Sequence, residues 1–339
     1  MRDVLTAQIK AYEIQGGIGI ENSFTRIGCD HAALIRVASS AVVSHMLGGR
    51  REQIVSAISN AWADGLTLKA YRQAPNVGSR KNWAGGDATS RGVQLALLAM
   101  KGGMTIPSVL TAKKFGFYDA LYRGQTFAFQ RPYGSYVMEN ILFKLVPADM
   151  LTQTAVECAL QLHPHVKERI DEIESITIRS QEAMIGINDK SGPLHNPADR
   201  DHCAQYVVAV ALLFGRLTSP DLEDEFAAYP EIDRLRDKIR IVEEERYSRD
   251  FYDPAKRSSA NALDVRFKDG SSAPRVEIEY PLGHPRRRAE GLPKIEEKFK
   301  ANVARRFSAE RQAAILEVCA DQTRFEATAV DQFVDKFLV

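Results

Sequence analysis

Cysteine is scarce in this chain of 339 residues, and the few cysteines lie far apart in the sequence. No two of them form a Cys-x-x-Cys pair, the spacing typical of zinc sites and of local iron–sulfur motifs. Isolated thiols are typical of a reducing compartment, so we predict a cytoplasmic protein. We also predict that it uses no metal and no other cofactor. The cysteines are Cys29, Cys158, Cys203 and Cys319.

An excess of charge of either sign is also absent, because 45 Lys and Arg stand against 44 Asp and Glu. Balanced charge removes a general attraction to nucleic acids or anionic membranes, so any preference for anions must be local. No apolar run approaches the roughly 20 residues that a membrane helix needs, and the N-terminus lacks the short apolar core of a secretory signal. We therefore expect a soluble protein with neither a nucleic-acid partner nor a membrane partner.

Helical spacing of apolar residues dominates the two ends of the chain, whereas alternation with period two occurs only in its middle. Asp30 is expected to cap a helix over 31–46, and helices are expected again over 292–339. Residues 221–247 are rich in charge and are expected to be exposed. The pattern predicts a mostly α protein into which an α+β segment is inserted. The alternating segments are 173–179, 262–267 and 275–280.

Positive charge is concentrated in residues 69–91, KAYRQAPNVGSRKNWAGGDATSR, which we call the basic segment. We predict a loop there, with the next helix beginning after Asp87. Glycine allows the backbone to approach a ligand, Trp83 suggests a partly buried wall, and a helix N-terminus offers unpaired amides to an anion. The alternative is a solvated loop in which Asp87 or Thr89 only caps the helix. Local sequence leaves both interpretations open.

Six stretches along the chain, taken together and in order, resemble one known family. They are GCDHAAL, KAYRQAPNVGSRKNWAGGDATSR, FGFYDALYRG, QRPYGSYVMENILFK, GPLHNPADRDHCAQY and YPLGHPRRR. Through them the chain resembles the MmgE/PrpD family. The resemblance implies a helical domain made from 1–140 and the returning helices of 286–339, with an α/β lid inserted over 141–285. It also implies that family members carry a further helical segment before Met1, so we expect a helical domain that is incomplete at its N-terminus.

The resemblance also implies a function, the removal of water from a tricarboxylate such as 2-methylcitrate by a homodimer without an iron–sulfur cluster. Two alternatives stay open. One is decarboxylation of cis-aconitate on the same fold, and the other is a truncated, inactive member that binds tricarboxylates or only dimerises. Dehydration needs cations that hold the carboxylates, a base for the proton beside a carboxylate, and an acid for the leaving hydroxide.

By their match to family motifs, we predict four catalytic residues. His31 is expected at a helix N-terminus, where the dipole disfavours the protonated ring and suits it to proton transfer. Lys81 is expected to face a substrate carboxylate, with a solvated lysine as the alternative. Lys144 lies in an apolar context where an unpaired ammonium is costly, so we expect an anionic ligand beside it, with snorkelling to the surface as the alternative. Tyr206 is expected to reach the substrate from the lid, with packing inside the lid as the alternative.

Five further residues are predicted to bind substrate carboxylates. Three belong to the basic segment, and the other two lie in PADRDHCAQY. On one continuous helix His202 and Tyr206 would share a face, because they are four residues apart. The alternatives for these residues are solvation, helix capping and lid packing. The five are Arg72, Arg80, Arg91, Arg200 and His202.

Overall fold

The computed structural model describes residues 1–73, 77–129 and 131–338. The chain forms two compact units. The first unit comprises Met1–Ile141 and Phe299–Val339, and the second unit comprises Leu142–Lys298. The second unit is therefore inserted between two parts of the first.

The chain leaves the second unit after Lys298, later than the sequence predicts. Arg287 forms an ion pair with Glu157, with 2.8 Å between Nη1 and Oε2. Lys298 donates from Nζ to the carbonyl oxygen of Lys144 at 2.6 Å. Because Glu157 and Lys144 both belong to the second unit, these contacts hold the segment to it. The boundary that we expected at residue 286 therefore moves to Phe299.

α-Helices build both parts of the first unit, as the periodicity predicts, and they are mixed with strands in the second. Within the described ranges, no helix is both long enough and apolar enough to span a membrane. In chain order the α-helices are α1 (Arg2–Gly19), α2 (Ala32–Met46), α3 (Arg51–Ala63), α4 (Arg80–Met100), α5 (Phe117–Ala120), α6 (Tyr136–Asn140), α7 (Gln153–Val166), α8 (Glu182–Asn188), α9 (Pro197–Arg200), α10 (Ala204–Phe214), α11 (Asp224–Ala227), α12 (Pro230–Arg236), α13 (Glu245–Tyr252), α14 (Arg288–Ala304), α15 (Ala309–Ala320), α16 (Gln322–Ala327) and α17 (Val330–Asp335).

Helix α2 is the centre of the first unit and contacts α1, α3 and α4. Its small residues let the neighbouring helices approach closely. Ala33 and Ala38 are buried, and the buried hydroxyls of Ser40 and Ser44 donate to backbone carbonyls within the helix, at 2.8 and 2.7 Å. These internal hydrogen bonds satisfy the serines without a partner from another helix.

The second unit contains a four-stranded sheet in the order β2-β1-β3-β4. β1 pairs in parallel with β2, and the other pairs are antiparallel. Ile176, Ile178 and Leu263 point to one face, where they join the buried side chains of α7 and α10 in the main core. The pairing of β1, β3 and β4 thus confirms strands in the three segments where the sequence predicts them. The strands are β1 (Ile173–Ser180), β2 (Ile239–Glu243), β3 (Asn261–Phe267) and β4 (Val276–Ile278).

Strand β2 is one element that sequence reasoning missed, since we expected residues 221–247 to be charged and exposed. Ile239 is buried, and it pairs in register with Ile176 of β1. A strand at the edge of a sheet carries charged side chains on its open face, so its sequence resembles a solvated segment. The prediction that 221–247 is exposed is therefore wrong at β2. It is also wrong at four buried hydrophobic residues outside this strand, Leu222, Ile232, Leu235 and Tyr247.

Candidate active site

A short antiparallel contact holds the start of α2 beside the basic segment. Asp30 donates its N–H to the Thr67 carbonyl at 2.7 Å, and Lys69 donates its N–H to the Gly28 carbonyl at 2.9 Å. Gly28 has φ of 75°, a left-handed conformation that glycine adopts without strain. The contact places the 3-10 turn Lys69–Arg72 next to the N-terminus of α2.

Asp30 is a fully buried carboxylate at this contact. Its Oδ1 accepts the N–H of Ala32 at 2.9 Å and its Oδ2 accepts Nε of Arg72 at 2.5 Å. The N-cap position of α2 is His31, one residue after the predicted cap. His31 Nδ1 lies 3.6 Å from Oδ1. Burial by itself raises the pKa of Asp30, but the Ala32 amide and the charges of His31 and Arg72 outweigh it and hold the pKa below its usual range. The carboxylate therefore stays ionised and fixes Arg72.

His31 follows Asp30 and keeps 67% of its side chain exposed. Its pKa is lowered, chiefly because the surrounding protein removes hydration, and the positive charges of Arg72 and Lys69 lower it further. Asp30 opposes the shift without reversing it. The imidazole is therefore neutral near pH 7 and can accept a proton from a molecule that reaches it.

The aromatic ring of Tyr71 connects Arg72 to the start of α4, where Trp83 adds a second ring beside Arg80. The guanidinium carbons of Arg72 and Arg80 lie 5.2 and 5.5 Å from the ring centre of Tyr71, and Arg80 lies 4.5 Å from that of Trp83. The buried Tyr71 hydroxyl lies near Asp30 without a hydrogen bond of good geometry. Cation–π contacts of this kind orient guanidinium groups while leaving their N–H donors available. We call Asp30, His31, Tyr71, Arg72 and Arg80 the Asp30 cluster.

Helix α4 begins at Arg80, so our prediction that a helix starts only after Asp87 is wrong. Ala84 and Ala88 are buried one turn apart. Burial of this face compensates for Gly85 and its neighbouring glycine, each of which weakens a helix by only about 1 kcal/mol. Arg80, Lys81, Trp83 and Arg91 thus lie on a helix and not in a loop.

The other local predictions for the basic segment concern Thr89, Trp83 and Pro75. Thr89 does not cap a helix, because its hydroxyl donates to the Gly85 carbonyl inside α4 at 3.1 Å. Trp83 is 47% exposed and is thus partly buried, and its place in the wall of a ligand site stays a prediction. Pro75, also in the predicted loop, lies outside the described residues. Cations of this segment are therefore presented by a helix and a 3-10 turn.

Lys81 and Arg91 occupy different places along α4. Lys81 lies in the first turn, half-buried, and donates its N–H to the Gly78 carbonyl at 3.1 Å. Arg91 forms two hydrogen bonds of 2.8 Å with the carboxylate of Asp64, which also pairs with Arg36 at 3.5 Å. A bidentate pair of this kind occupies the guanidinium. The placement of Arg91 favours a structural role, whereas Lys81 is the immediate neighbour of Arg80.

Tyr206 and Arg200, in the second unit, have structural partners. Tyr206 is 2% exposed, and its hydroxyl donates to the Asp221 carbonyl at 2.7 Å. Burial raises the pKa of Tyr206 to about 12, so the phenol stays protonated. Arg200 is buried and donates from Nη1 to the Leu222 carbonyl at 2.8 Å and to Asp224 at 2.6 Å. These contacts favour the alternative of packing within the unit for both residues.

His202 and Lys144 also differ from our expectation. α9 ends at Arg200 and α10 begins at Ala204, so His202 and Tyr206 do not share one continuous helix. His202 lies between two carboxylates, with Nδ1 2.5 Å from Asp201 and Nε2 3.4 Å from Asp149. The side chain of Lys144 is exposed, so burial does not require an anion beside it. This exposure favours the snorkelling alternative.

Comparison with known proteins agrees with the first boundary between the two units, which lies between the two family matches, whereas the second match continues past Lys298. A family model described as the MmgE/PrpD N-terminal domain matches residues 1–130, and the MmgE/PrpD C-terminal domain matches 146–322. The chain belongs to the MmgE/PrpD family. It is 57% identical over 343 residues to a 2-methylcitrate dehydratase of Cupriavidus necator, covering 100% of this chain and 71% of that protein. It is 53% identical to one of Escherichia coli, with the same coverage. A mitochondrial 2-methylcitrate dehydratase of Yarrowia lipolytica is 52% identical and covered to 65%.

The MmgE/PrpD N-terminal match contains the whole Asp30 cluster. Sequence reasoning assigned only a capping role to Asp30 and missed its contacts with Arg72 and His31. The signal that could have found them is an acidic residue directly before a histidine at a helix start, together with a nearby arginine-rich segment. Among the residues with described positions, no three His, Cys, Asp or Glu side chains are grouped to hold a metal ion.

Proposed function

We propose that this chain is a hydro-lyase that removes water from 2-methylcitrate to give 2-methyl-cis-aconitate in the breakdown of propionate. The observation that carries the proposal is similarity along the whole chain, at 52–57% identity, to relatives from bacteria and a yeast that bear the name 2-methylcitrate dehydratase. The Asp30 cluster supports it with a neutral imidazole beside fixed cations. A homodimer and a cytoplasmic location stay predictions.

Arg72, Arg80 and Lys81 are our choice for holding the substrate carboxylates. Arg72 is oriented by the buried Asp30, and Arg80 is oriented by the rings of Tyr71 and Trp83. Fixed cations stabilise the charge that develops on a carboxylate when the neighbouring carbon loses a proton, because they need not reorganise during the reaction. Asp30 is thus a positioning residue in this proposal.

His31 is our choice for the proton transfer. Its lowered pKa keeps the ring neutral, so it can take the proton from the carbon beside a carboxylate. The electron pair of that C–H bond forms the double bond while the C–O bond to the hydroxyl group breaks. The hydroxide leaves as water after taking a proton, for which Lys81 is our candidate donor. Release of the His31 proton to solvent and uptake of one by Lys81 restore the enzyme.

The test is an assay of the purified chain with 2-methylcitrate, following the ultraviolet absorbance of the unsaturated product. We expect His31→Gln and Lys81→Ala to lower kcat by about 100-fold or more, the size typical of a lost proton-transfer or charge-stabilising group. Lys113→Ala is the control, because this lysine is 93% exposed and pairs with Asp119 only at 3.9 Å. It should keep full activity.

The same assay separates the alternatives. Release of carbon dioxide with itaconate from cis-aconitate, without dehydration of 2-methylcitrate, would replace the proposal with a decarboxylase. Absence of both reactions, with retained binding of tricarboxylates, would indicate the inactive member. Loss of activity in Lys113→Ala equal to that in Lys81→Ala would show that the basic segment acts only through general charge.

A further inference from the structure

The sheet of the second unit has one face that the core does not use. Along β1 the residues Ser175, Thr177 and Arg179 alternate with the buried isoleucines and point to the opposite face. Thr177 pairs in register with Arg240 of β2 on one side and with Asp264 of β3 on the other. A polar row therefore crosses the sheet on its outer face.

A cavity of about 420 Å³ lies over this row. Its lining includes four arginines but one carboxylate, that of Asp264. Three hydroxyl groups line it as well, those of Ser175, Thr177 and Ser272. The cavity is thus rich in hydrogen-bond donors and poor in apolar surface. The arginines come from different strands and from the β3–β4 connection, and they are Arg179, Arg240, Arg266 and Arg275.

Three of the four arginines are held by acids. Asp264 accepts Nε of Arg179 at 2.8 Å, and Glu244 lies 3.8 Å from the same guanidinium. Arg275 lies 3.4 Å from Glu277 and 3.8 Å from Asp264. Arg266 pairs with Glu174 at 3.0 Å. These pairs fix the directions of the guanidinium groups but also balance much of their charge. These ion pairs alone leave little attraction for an anion.

Arg240 differs from the other three arginines in the partner of its guanidinium group. Its Nε donates to the Thr177 hydroxyl at 3.1 Å, and no carboxylate of residues 1–73, 77–129 or 131–338 pairs with it. The hydrogen bond orients the planar group over the row and leaves its outer N–H donors available. Arg240 therefore supplies a positive charge that the cavity does not balance, at a position fixed by the strand register.

We propose that this cavity binds a small tetrahedral oxyanion, either inorganic phosphate or the phosphate group of a small metabolite, with Arg240 as its main anchor. A guanidinium presents N–H donors in a planar fork that matches two oxygens of a phosphate. Hydroxyl donors on neighbouring strands can meet the remaining oxygens. The cavity is lined only by residues of the second unit, whereas the Asp30 cluster belongs to the first, so the proposal goes beyond the proposed dehydration.

Equilibrium dialysis of the whole chain with radiolabelled phosphate, at constant ionic strength, tests the proposal. We expect saturable binding of one phosphate per chain, weakened about tenfold or more in Arg240→Gln by the loss of a charge-assisted contact. Arg240→Lys keeps the charge but loses the fork, so it should weaken binding less. The control Arg234→Gln removes an exposed arginine of α12, outside the cavity, and should bind as the unchanged chain does.

Two further measurements show which kind of phosphate binds and at which of the two places in the chain it binds. Competition by glycerol phosphate shows whether a phosphate monoester enters the same place, whereas failure to compete restricts the site to free phosphate. Arg72→Gln should leave phosphate binding intact. The proposal is overturned if binding does not saturate, if Arg234→Gln weakens it as much as Arg240→Gln, or if Arg72→Gln abolishes it while Arg240→Gln does not.

Discussion

At the scale of single residues, Asp30 joins two parts of the chain that are distant in sequence. Its carboxylate is fully buried and accepts hydrogen bonds from the Ala32 amide and the Arg72 guanidinium. A buried charge is costly unless each of its oxygens has a partner, and here both have one. Asp30 thus stabilises the fold and orients Arg72 at the same time.

Replacing Asp30 by Asn keeps the size of the side chain but removes its charge and leaves Arg72 unpaired. We expect the free energy of unfolding in urea to fall by about 2–3 kcal/mol. The pKa of His31, followed by NMR titration, should fall further, because Asp30 raises it in the unchanged chain.

Asp87→Asn is the matched control, since Asp87 pairs with Arg80 at 3.6 Å and the two side chains are 58% and 42% exposed. Exposed pairs contribute little, so its effect should stay within about 0.5 kcal/mol. Equal losses in the two variants, or an increase of the His31 pKa in Asp30→Asn, would contradict the role given to Asp30.

At the scale of secondary-structure elements, α4 shows how glycines of one helix can have opposite roles. Gly92 faces α2, where an added Cβ would lie 2.8 Å from Cβ of Ser39 and 2.9 Å from the carbonyl oxygen of Arg36. An added Cβ at Gly86 would meet nothing within 4 Å. The close approach of α2 and α4 therefore depends on Gly92, whereas Gly86 only adds flexibility to the unfolded chain.

Substitution by alanine should thus change stability in opposite directions at the two positions. Gly86→Ala should raise the free energy of unfolding by about 0.5–1 kcal/mol, the usual helix preference of alanine over glycine. Gly92→Ala should lower it by about 1–3 kcal/mol, because α2 must move away. Thermal unfolding of the two variants measures this directly, and a shift of Tm in the same direction would refute the packing argument.

At the scale of the whole molecule, buried titratable groups make stability depend on pH. His284 is 8% exposed, its Nδ1 accepts the N–H of Arg286 at 3.1 Å, and its ring contacts that of Tyr280. Burial is the main cause that lowers the pKa of His284 to about 4, and the charges of Arg286 and Arg288 act in the same direction. The folded protein therefore keeps this ring neutral.

The sign of the effect follows from proton uptake. As pH decreases, His284 takes up a proton near pH 6.5 in the unfolded chain but only near pH 4 in the folded chain. Protonation thus favours the unfolded chain, and the free energy of unfolding falls as pH decreases from 6.5 toward 4. The loss should reach about 3 kcal/mol. His284→Asn keeps an acceptor but cannot titrate, so urea unfolding should show a smaller loss between pH 7 and 4.5.

The comparison is made between variants because other groups also titrate in this range. If the free energy of unfolding falls with decreasing pH equally in His284→Asn and in the unchanged chain, His284 does not cause the pH dependence. The exposed His165 provides the control. If His165→Asn reduces the pH dependence of the free energy of unfolding as much as His284→Asn does, the inference is also contradicted.

The spacing of residues in the sequence predicted a helix or strand correctly where local interactions stabilise that element. The spacing of apolar residues predicted the helices of the first unit and the strands β1, β3 and β4, since burial of one face requires that spacing. The same patterns failed at β2 and at the start of α4. In both cases contacts with another element, β1 or α2, outweigh the local preferences of charged residues and glycines.

The amino-acid sequence by itself determined the family, the helical and alternating segments, and the cationic character of the basic segment. Only the tertiary structure decided which cations gather around Asp30 and which are occupied elsewhere, as Arg91 is by Asp64. The reason is that Arg72 reaches Asp30 through a contact between residues about 40 positions apart, and Tyr206 is buried by elements distant in sequence. Side-chain partners of this kind depend on how the elements pack, which spacing along the chain does not specify.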